Sequence, residues 1–268
     1  MEFLGYLAAI LMGLSLGLIG GGGSILTVPI LVYLFKQDPL IATTGSLFVV
    51  GTTALVGATL NARKSLIDYK TGFIFAIPSF FGVFAARHFI LPSIPDLIFS
   101  FAGFTFTKSL LVMGIFGIIM VLASRAMIRS GRGTTAPIVN SSTAKDNLFV
   151  IIWQGFLIGV TTGFVGAGGG FLIIPALVLL LKLPMNRAVG TSLAIIAANS
   201  IFGFTIGIGN LSLDWPVLIK IAAIGIVGIS IGQFYSSRVN EKLLKRGFGF
   251  FVLCVGSFVL LDQIFKMT

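Results

Sequence analysis

Two glycine-rich segments could bind a small anion through their backbone amides. The first reads GLIGGGGSILTVPIL, from Gly17 to Leu31, and the second reads GFVGAGGGFLIIPAL, from Gly163 to Leu177. A short helix is predicted after each glycine run. The first N–H groups of a helix lack intrahelical partners and carry the positive end of its dipole, and glycine lets a ligand come close to the backbone. Two such helix starts that meet would form a site for a small anion.

Hydroxyl and amide side chains follow each glycine run. Such neutral donors suit an oxyanion that must bind and leave again, whereas a buried arginine would hold it too tightly. The competing interpretations are close helix packing by the glycines and helix–helix hydrogen bonding, which explains any single hydroxyl equally well. We favour the site because the glycine run recurs with a matching downstream proline, and Gln233 is a further candidate. The predicted substrate-binding residues are Gly20, Gly21, Gly22, Gly23, Ser24, Thr44, Ser46, Gly166, Gly168, Gly169, Gly170, Thr191, Ser192 and Asn199.

Chemistry other than binding finds little support in the sequence. The single Cys254 and the single His88 form no metal-binding motif, and no GxxxxGK[ST] loop indicates nucleotide binding. A Ser24–His88 dyad of an intramembrane enzyme is disfavoured, because the second segment has Gly170 where the first has Ser24. The sequence therefore predicts no enzyme activity, no cofactor and no metal.

The two segments belong to a longer internal repeat. They lie 146 residues apart, and the same offset matches Ser46 with Ser192, Asp68 with Asp214 and Gly82 with Gly228. A shared glycine-rich composition would not keep the two aspartates in register. The predicted organisation is a first membrane repeat over 1–125, a polar cytoplasmic linker over 126–147 and a second, inverted membrane repeat over 148–268.

The composition requires a membrane. Hydrophobic residues make up 56% of the chain and charged residues only 10%, which is too little charge for the surface of a soluble protein. A bilayer-spanning helix needs roughly 20 apolar residues. Hydropathy predicts six spans, at about 42–62, 71–91, 108–124, 187–208, 215–236 and 247–265. The net charge of +10 is attributed to cytoplasmic loops, which accumulate Lys and Arg, and nucleic acid is excluded as a partner.

The stretches 3–35 and 148–181 decide the topology, because each is too long for one straight span and is broken by glycines. If each stretch crosses once, the basic residues divide evenly between the two sides. If each is a re-entrant hairpin, thirteen lie on one side and five on the other, a bias typical of membrane proteins. Each repeat then has a glycine-tipped helical hairpin plus three transmembrane helices. The second repeat is inverted, and both termini are extracytoplasmic. Counting each hairpin as two short spans gives ten helices with the same sidedness.

Charged residues are predicted to avoid the span centres. Asp68 and Asp214 each precede a span and are predicted to cap the helix that follows. Arg87 and His88 are predicted to lie at the interfacial end of a span.

The paired glycine motifs, each followed by a Ser-Leu segment and an Asp-aromatic pair, resemble the TauE/SafE sulfite exporter family, also described as toluene sulfonate uptake permeases. The resemblance covers nearly the whole chain. It implies transport of sulfite or organosulfonates across the cytoplasmic membrane, often with proton coupling. The first half differs by carrying Thr44-Gly45-Ser46 where the second has Gly190-Thr191-Ser192, and by extra residues around Phe99–Thr107, which are predicted to lengthen its last span or outer loop.

These features together predict an all-α integral membrane protein of the cell membrane, a secondary transporter that exports a sulfite-like anion by alternating access. The alternatives are an uptake permease for another small anion and an intramembrane enzyme. The expected partners are a small anionic substrate, sulfite or an organosulfonate, and the lipid bilayer, and a homodimer stays open.

Overall fold

Apolar helices dominate the computed structural model, which describes residues 2–101, 104–130, 144–179, 181, 183–209, 211–236 and 241–267. The first half forms five helices: α1 (Glu2–Ile19), α2 (Gly21–Leu34), α3 (Pro39–Arg63), α4 (Tyr69–Ser93) and α5 (Lys108–Ser130). The second half forms α6 (Ala144–Val165), α7 (Gly170–Leu179), α8 (Met185–Gly207), α9 (Trp215–Tyr235) and α10 (Glu241–Met267). Residues 131–143 of the predicted linker lie outside the described residues.

The six predicted spans coincide with α3, α4, α5, α8, α9 and α10, each of which is long and apolar enough to cross a membrane. Large apolar side chains such as Phe81 and Phe234 are about two-thirds exposed on the outside of the bundle. Such side chains suit contact with lipid rather than water. The chain is therefore a multi-pass membrane protein, as predicted.

Aspartates define where several helices begin. The Asp68 carboxylate accepts a hydrogen bond from the Thr71 amide at 3.0 Å, and the Asp214 carboxylate accepts one from the Val217 amide at 3.2 Å. These bonds satisfy amides that have no partner within α4 and α9. The predicted capping role of both aspartates is confirmed.

The two long stretches are each divided at their glycines. We call Gly20–Ser24 the first glycine break and Gly166–Gly170 the second. After the first break the chain folds back on itself, since the rings of Tyr6 in α1 and Phe35 just after α2 lie 5.3 Å apart. The short α2 begins as a 3-10 helix and ends as a π-helix over Ile30–Leu34.

Two seams of small residues join helices from different halves. In the seam between α1 and α9, a side chain at Gly13 would overlap the carbonyl oxygen of Gly225. In the seam between α4 and α6, a side chain at Gly82 would overlap the carbonyl oxygen of Phe156. In each seam, residue numbers rise in the same direction along both helices, so the paired helices run parallel. Close packing by small residues is a common way to join membrane helices.

Equivalent helices of the two halves also contact each other, and these run antiparallel. In the α3–α8 pair, Gly57 lies against Leu193 and Gly51 against Ile201. In the α5–α10 pair, Gly256 lies against Met120, and Gly249 against Ile128. Position numbers rise along one helix as they fall along the other in both pairs.

A β-hairpin departs from the all-α prediction. Its strands, β1 (Leu97–Phe101) and β2 (Phe104–Thr107), pair antiparallel between α4 and α5. The rings of Phe99 and Phe106 stack across the hairpin at 5.2 Å. Aromatic and β-branched residues favour strands, and this Phe- and Thr-rich segment is the extra stretch of the first half. The predicted lengthening of a span or loop is therefore wrong for these residues, which form two strands.

Candidate functional site

The backbone at the two glycine breaks requires glycine at particular positions. In the first break Gly20 has a φ of +83°; in the second, Gly166, Gly168 and Gly169 have φ values of +77°, +67° and +63°. Residues with a Cβ rarely adopt this left-handed region. The glycines therefore end α1 and α6 abruptly within the protein and let new helices begin there.

The two breaks meet inside the bundle. Gly21 packs directly against the backbone of Gly170, so that a Cβ on either residue would overlap the other chain segment. All residues of both breaks are buried. The structure thus brings the starts of α2 and α7 together, at a position closed to solvent.

Each break is flanked by a serine from the other half. The Ser46 hydroxyl lies 2.5 Å from the carbonyl oxygen of Gly166 and can donate to it. The Ser192 hydroxyl lies beside Gly20, 3.2 Å from the position a Cβ would take there. Because Ser46 and Ser192 occupy equivalent repeat positions, the two surroundings are related. Gly20, Ser46, Gly166 and Ser192 form the core of the candidate site, together with the Gly21–Gly170 contact.

Other predicted residues have different partners. The Ser24 hydroxyl donates to the Gly21 carbonyl within its own helix at 2.8 Å. The Thr191 hydroxyl accepts from the backbone amide of Asp68 at 2.9 Å, at the end of the α3–α4 connection. The Asn199 amide donates to the Ser79 hydroxyl at 2.6 Å. For these residues the structure shows the helix-to-helix or local bonding that was the competing interpretation.

The remaining glycines of the breaks face different neighbours. Gly23 packs on the backbone of Met12, and Gly169 packs on the Thr162 hydroxyl, each on the preceding helix. Gly168 lies near Val50 and Ser200 of α3 and α8. Gly22 faces Met127 of α5 and Phe248 of α10, and a Cβ at Gly22 would lie 3.3 Å and 3.4 Å from their side chains.

Arg87 is a polar residue whose burial the sequence did not predict. It was predicted to lie at the interfacial end of a span; it lies within α4, which continues to Ser93, and it is only 8% exposed. Its guanidinium donates through Nη1 to the Thr44 hydroxyl at 2.6 Å, and through Nη2 to the Thr43 carbonyl at 3.2 Å. Arginines near helix ends normally extend to the interface. The repeat offered a sign that this position lies in the interior, because Arg87 matches another polar residue, Gln233, at the same offset.

Ser24 and His88, the two residues of the alternative enzyme dyad, lie in very different environments. His88 is exposed and its ring stacks on Phe84 at 5.0 Å, whereas Ser24 is fully buried. Their environments do not form the paired nucleophile and base that such chemistry needs.

Several buried polar atoms of the bundle lack a partner among the described residues, and two of them, Thr162 Oγ1 and Ser200 Oγ, lie against Gly169 and Gly168 of the second break. They are Thr53 Oγ1, Arg87 Nε, Thr162 Oγ1, Asn199 Oδ1, Ser200 Oγ and Gln233 Oε1. Buried polar groups are normally hydrogen-bonded, so unpaired ones mark places for water or a ligand. These atoms lie on α3, α4, α6, α8 and α9, so the interior of the bundle is suited to a polar ligand.

Comparison with known proteins identifies the family. The family described as "Sulfite exporter TauE/SafE" matches residues 5–259. The chain belongs to this family. Curated relatives of the chain carry the name "Probable membrane transporter protein". One from Xylella fastidiosa (strain 9a5c) is 30% identical over 256 residues, which cover 93% of this chain and 91% of the relative.

Two relatives of lower identity are also named as probable membrane transporter proteins. One from Methanocaldococcus jannaschii is 27% identical and covers 94% of each chain. Another from Bacillus subtilis is 28% identical, covering 89% of this chain and 92% of its own length. No solved structure matches this chain. The TauE/SafE family and these names point to a membrane transporter rather than an enzyme.

Proposed function

We propose that this transporter moves sulfite or a small organosulfonate out of the cell across the cytoplasmic membrane by alternating access. The observation that carries the proposal is the buried meeting of the two glycine breaks at Gly21 and Gly170, flanked by the hydroxyls of Ser46 and Ser192. Helix starts supply N–H donors for an oxyanion. Each serine hydroxyl would donate to the anion by rotating away from the backbone carbonyl to which it now donates. The sulfur chemistry of the substrate comes from the family name.

We further propose that the two halves are inverted repeats with the site between them. The antiparallel α3–α8 and α5–α10 pairs support this arrangement, because equivalent helices of inverted repeats must run in opposite directions. So does the odd number of helices in each half. With the excess of basic residues on the cytoplasmic side, this topology places both termini outside.

Flux in proteoliposomes tests the proposed substrate. Vesicles that contain the purified protein and are loaded with sulfite should release it faster than protein-free vesicles, and taurine or another sulfonate should compete. Wild-type protein that releases neither sulfite nor a sulfonate, while correctly inserted, would refute the proposal.

The same vesicles test coupling and direction. If protons drive transport, an imposed pH gradient should change the initial rate of sulfite flux, and a protonophore should remove the change. Oppositely loaded vesicles compare outward with inward movement. Equal rates in both directions without a gradient would indicate an exchanger whose direction is set by the concentrations of its substrate, and strictly inward flux would instead indicate an uptake permease.

A further inference from the structure

Arg87 is a buried cation with an incomplete set of partners. Its guanidinium donates to the hydroxyl of Thr44 and the carbonyl oxygen of Thr43, both neutral groups. Its Nε atom has no hydrogen-bond partner among the described residues, and no carboxylate in that part of the chain forms an ion pair with it. An arginine stays protonated in proteins. A buried charge without a counter-charge is strongly unfavourable, so this site calls for an anion.

The surroundings hold the guanidinium beside the candidate site. The Thr43 backbone that accepts from Nη2 also packs directly against Gly166 of the second glycine break. On the other side lies Gly207 of α8, where a Cβ would sit 2.6 Å from Nη1. A larger residue there would therefore displace the arginine. Only Thr43 thus lies between Arg87 and the second glycine break in space.

The local helix geometry is unusual at this point. Arg87 lies in a π-helical segment of α4, Ala85–Ile90. Wide turns of this kind are rare and occur frequently at functional sites. The corresponding residue of the second half, Gln233, lies in the regular helix α9 and donates to the Gly57 carbonyl at 2.8 Å. The charge and the wide turn are therefore found together in only one of two equivalent places.

We propose that Arg87 binds the transported anion directly, with its planar fork of N–H groups on two oxygens of a sulfite or sulfonate group. This proposal rests on the proposed function. A guanidinium matches two oxygens of an oxyanion better than a point charge does. Its bonds to Thr43 and Thr44 hold the fork in place and share its donors. Because some donors of Arg87 are used by Thr43 and Thr44, the arginine binds the anion less tightly than an arginine with all of its donors free, and the anion can leave again.

The test compares Arg87→Gln, which copies the residue of the second half, with Arg87→Lys and a neighbouring control. The control is His88→Gln, because His88 is exposed on the same turn of α4. Sulfite KM in proteoliposomes should rise about tenfold or more in Arg87→Gln, since a charge-assisted bond accounts for at least that factor. Arg87→Lys should show a smaller rise, and His88→Gln should match wild type.

A second measurement separates binding from a purely structural role. Sulfite should raise the melting temperature of the wild-type protein in detergent, and this rise should be lost in Arg87→Gln. A structural role alone would lower the melting temperature but keep the sulfite-dependent rise. Wild-type KM together with a wild-type sulfite-dependent rise in Arg87→Gln would overturn the proposal.

Two further outcomes keep the proposals distinguishable. If Arg87→Gln does not insert, Arg87→Lys decides. Raised KM in that folded variant supports the role of the fork, and unchanged KM with an unchanged sulfite-dependent rise overturns it. If wild type shows neither sulfite nor sulfonate flux, the proposed function fails, and the Arg87 proposal fails with it. If wild type transports and the variants equal it, only the Arg87 proposal fails.

Discussion

The two glycine breaks occupy equivalent places in the repeat but have different backbones. In the first, only Gly20 has a positive φ, and a 3-10 helix begins at once at Gly21. In the second, three glycines have a positive φ and α7 begins only at Gly170. The first break therefore needs glycine for its backbone conformation at one position, whereas the second needs it at three. Related sequences have thus reached the same meeting point by two backbone routes.

The largest effect is expected where the two breaks touch. Gly21→Ala would drive a methyl group into the backbone of Gly170, which cannot move aside as a flexible side chain could. We expect a loss of about 3 kcal/mol or more in stability and near-complete loss of sulfite flux. Thermal unfolding in detergent and proteoliposome flux measure the two effects. A stable, active Gly21→Ala protein would show that the breaks do not pack as described.

An intermediate effect should separate the breaks from each other. Gly168 and Gly22 are equivalent in the repeat, but only Gly168 has a positive φ, and its Cβ would lie 2.7 Å from the Val50 side chain. Gly168→Ala should cost about 2 kcal/mol from strain and crowding.

Gly22→Ala is the matched control. Its nearest neighbour would be the flexible end of Met127 at 3.3 Å, so its cost should be below about 1 kcal/mol. Melting temperatures of the two purified variants give the comparison. Equal losses would remove the conformational difference between the breaks.

The smallest expected effect concerns the flanking serines. The Ser46 hydroxyl can donate either to Thr43 in its own helix or to Gly166 across the interface, whereas the Ser192 hydroxyl donates within its own helix to Val189. Ser46→Ala should cost about 1 kcal/mol and slow sulfite flux, and Ser192→Ala should cost less. Unfolding and initial rates, measured in parallel, provide the check. A larger stability loss in Ser192→Ala would mean that the interface bond of Ser46 contributes little.

Features of the fold that depend on local sequence were predictable. The six spans follow from runs of apolar residues, and the roles of Asp68 and Asp214 follow from their place before such runs. The difference between the breaks was not predictable, because both appear in the sequence as glycine runs whose φ values depend on what surrounds them. The strands Leu97–Phe101 and Phe104–Thr107 were missed because their hydrophobic residues were counted as part of a span or loop.

The site could be predicted only in part for a related reason. The sequence indicated Gly20, Gly166 and the two serines because they recur at a fixed offset. It could not show that Thr191 bonds to the Asp68 amide, or that α3 covers Arg87. Such partners are set by which faces of distant helices meet. Hydropathy describes each helix alone and does not contain this information.

The parallel seams have a consequence for how the chain assembles during synthesis. The small face of α1 at Gly13 finds its partner only when α9, with Gly225, has been made and inserted. Until then the face of α1 that contains Gly13 contacts lipid or another, temporary helix. α1 thus leaves the ribosome before α9 and completes this seam only after α9 is inserted, so a nascent chain truncated before α9 should remain open to proteolysis.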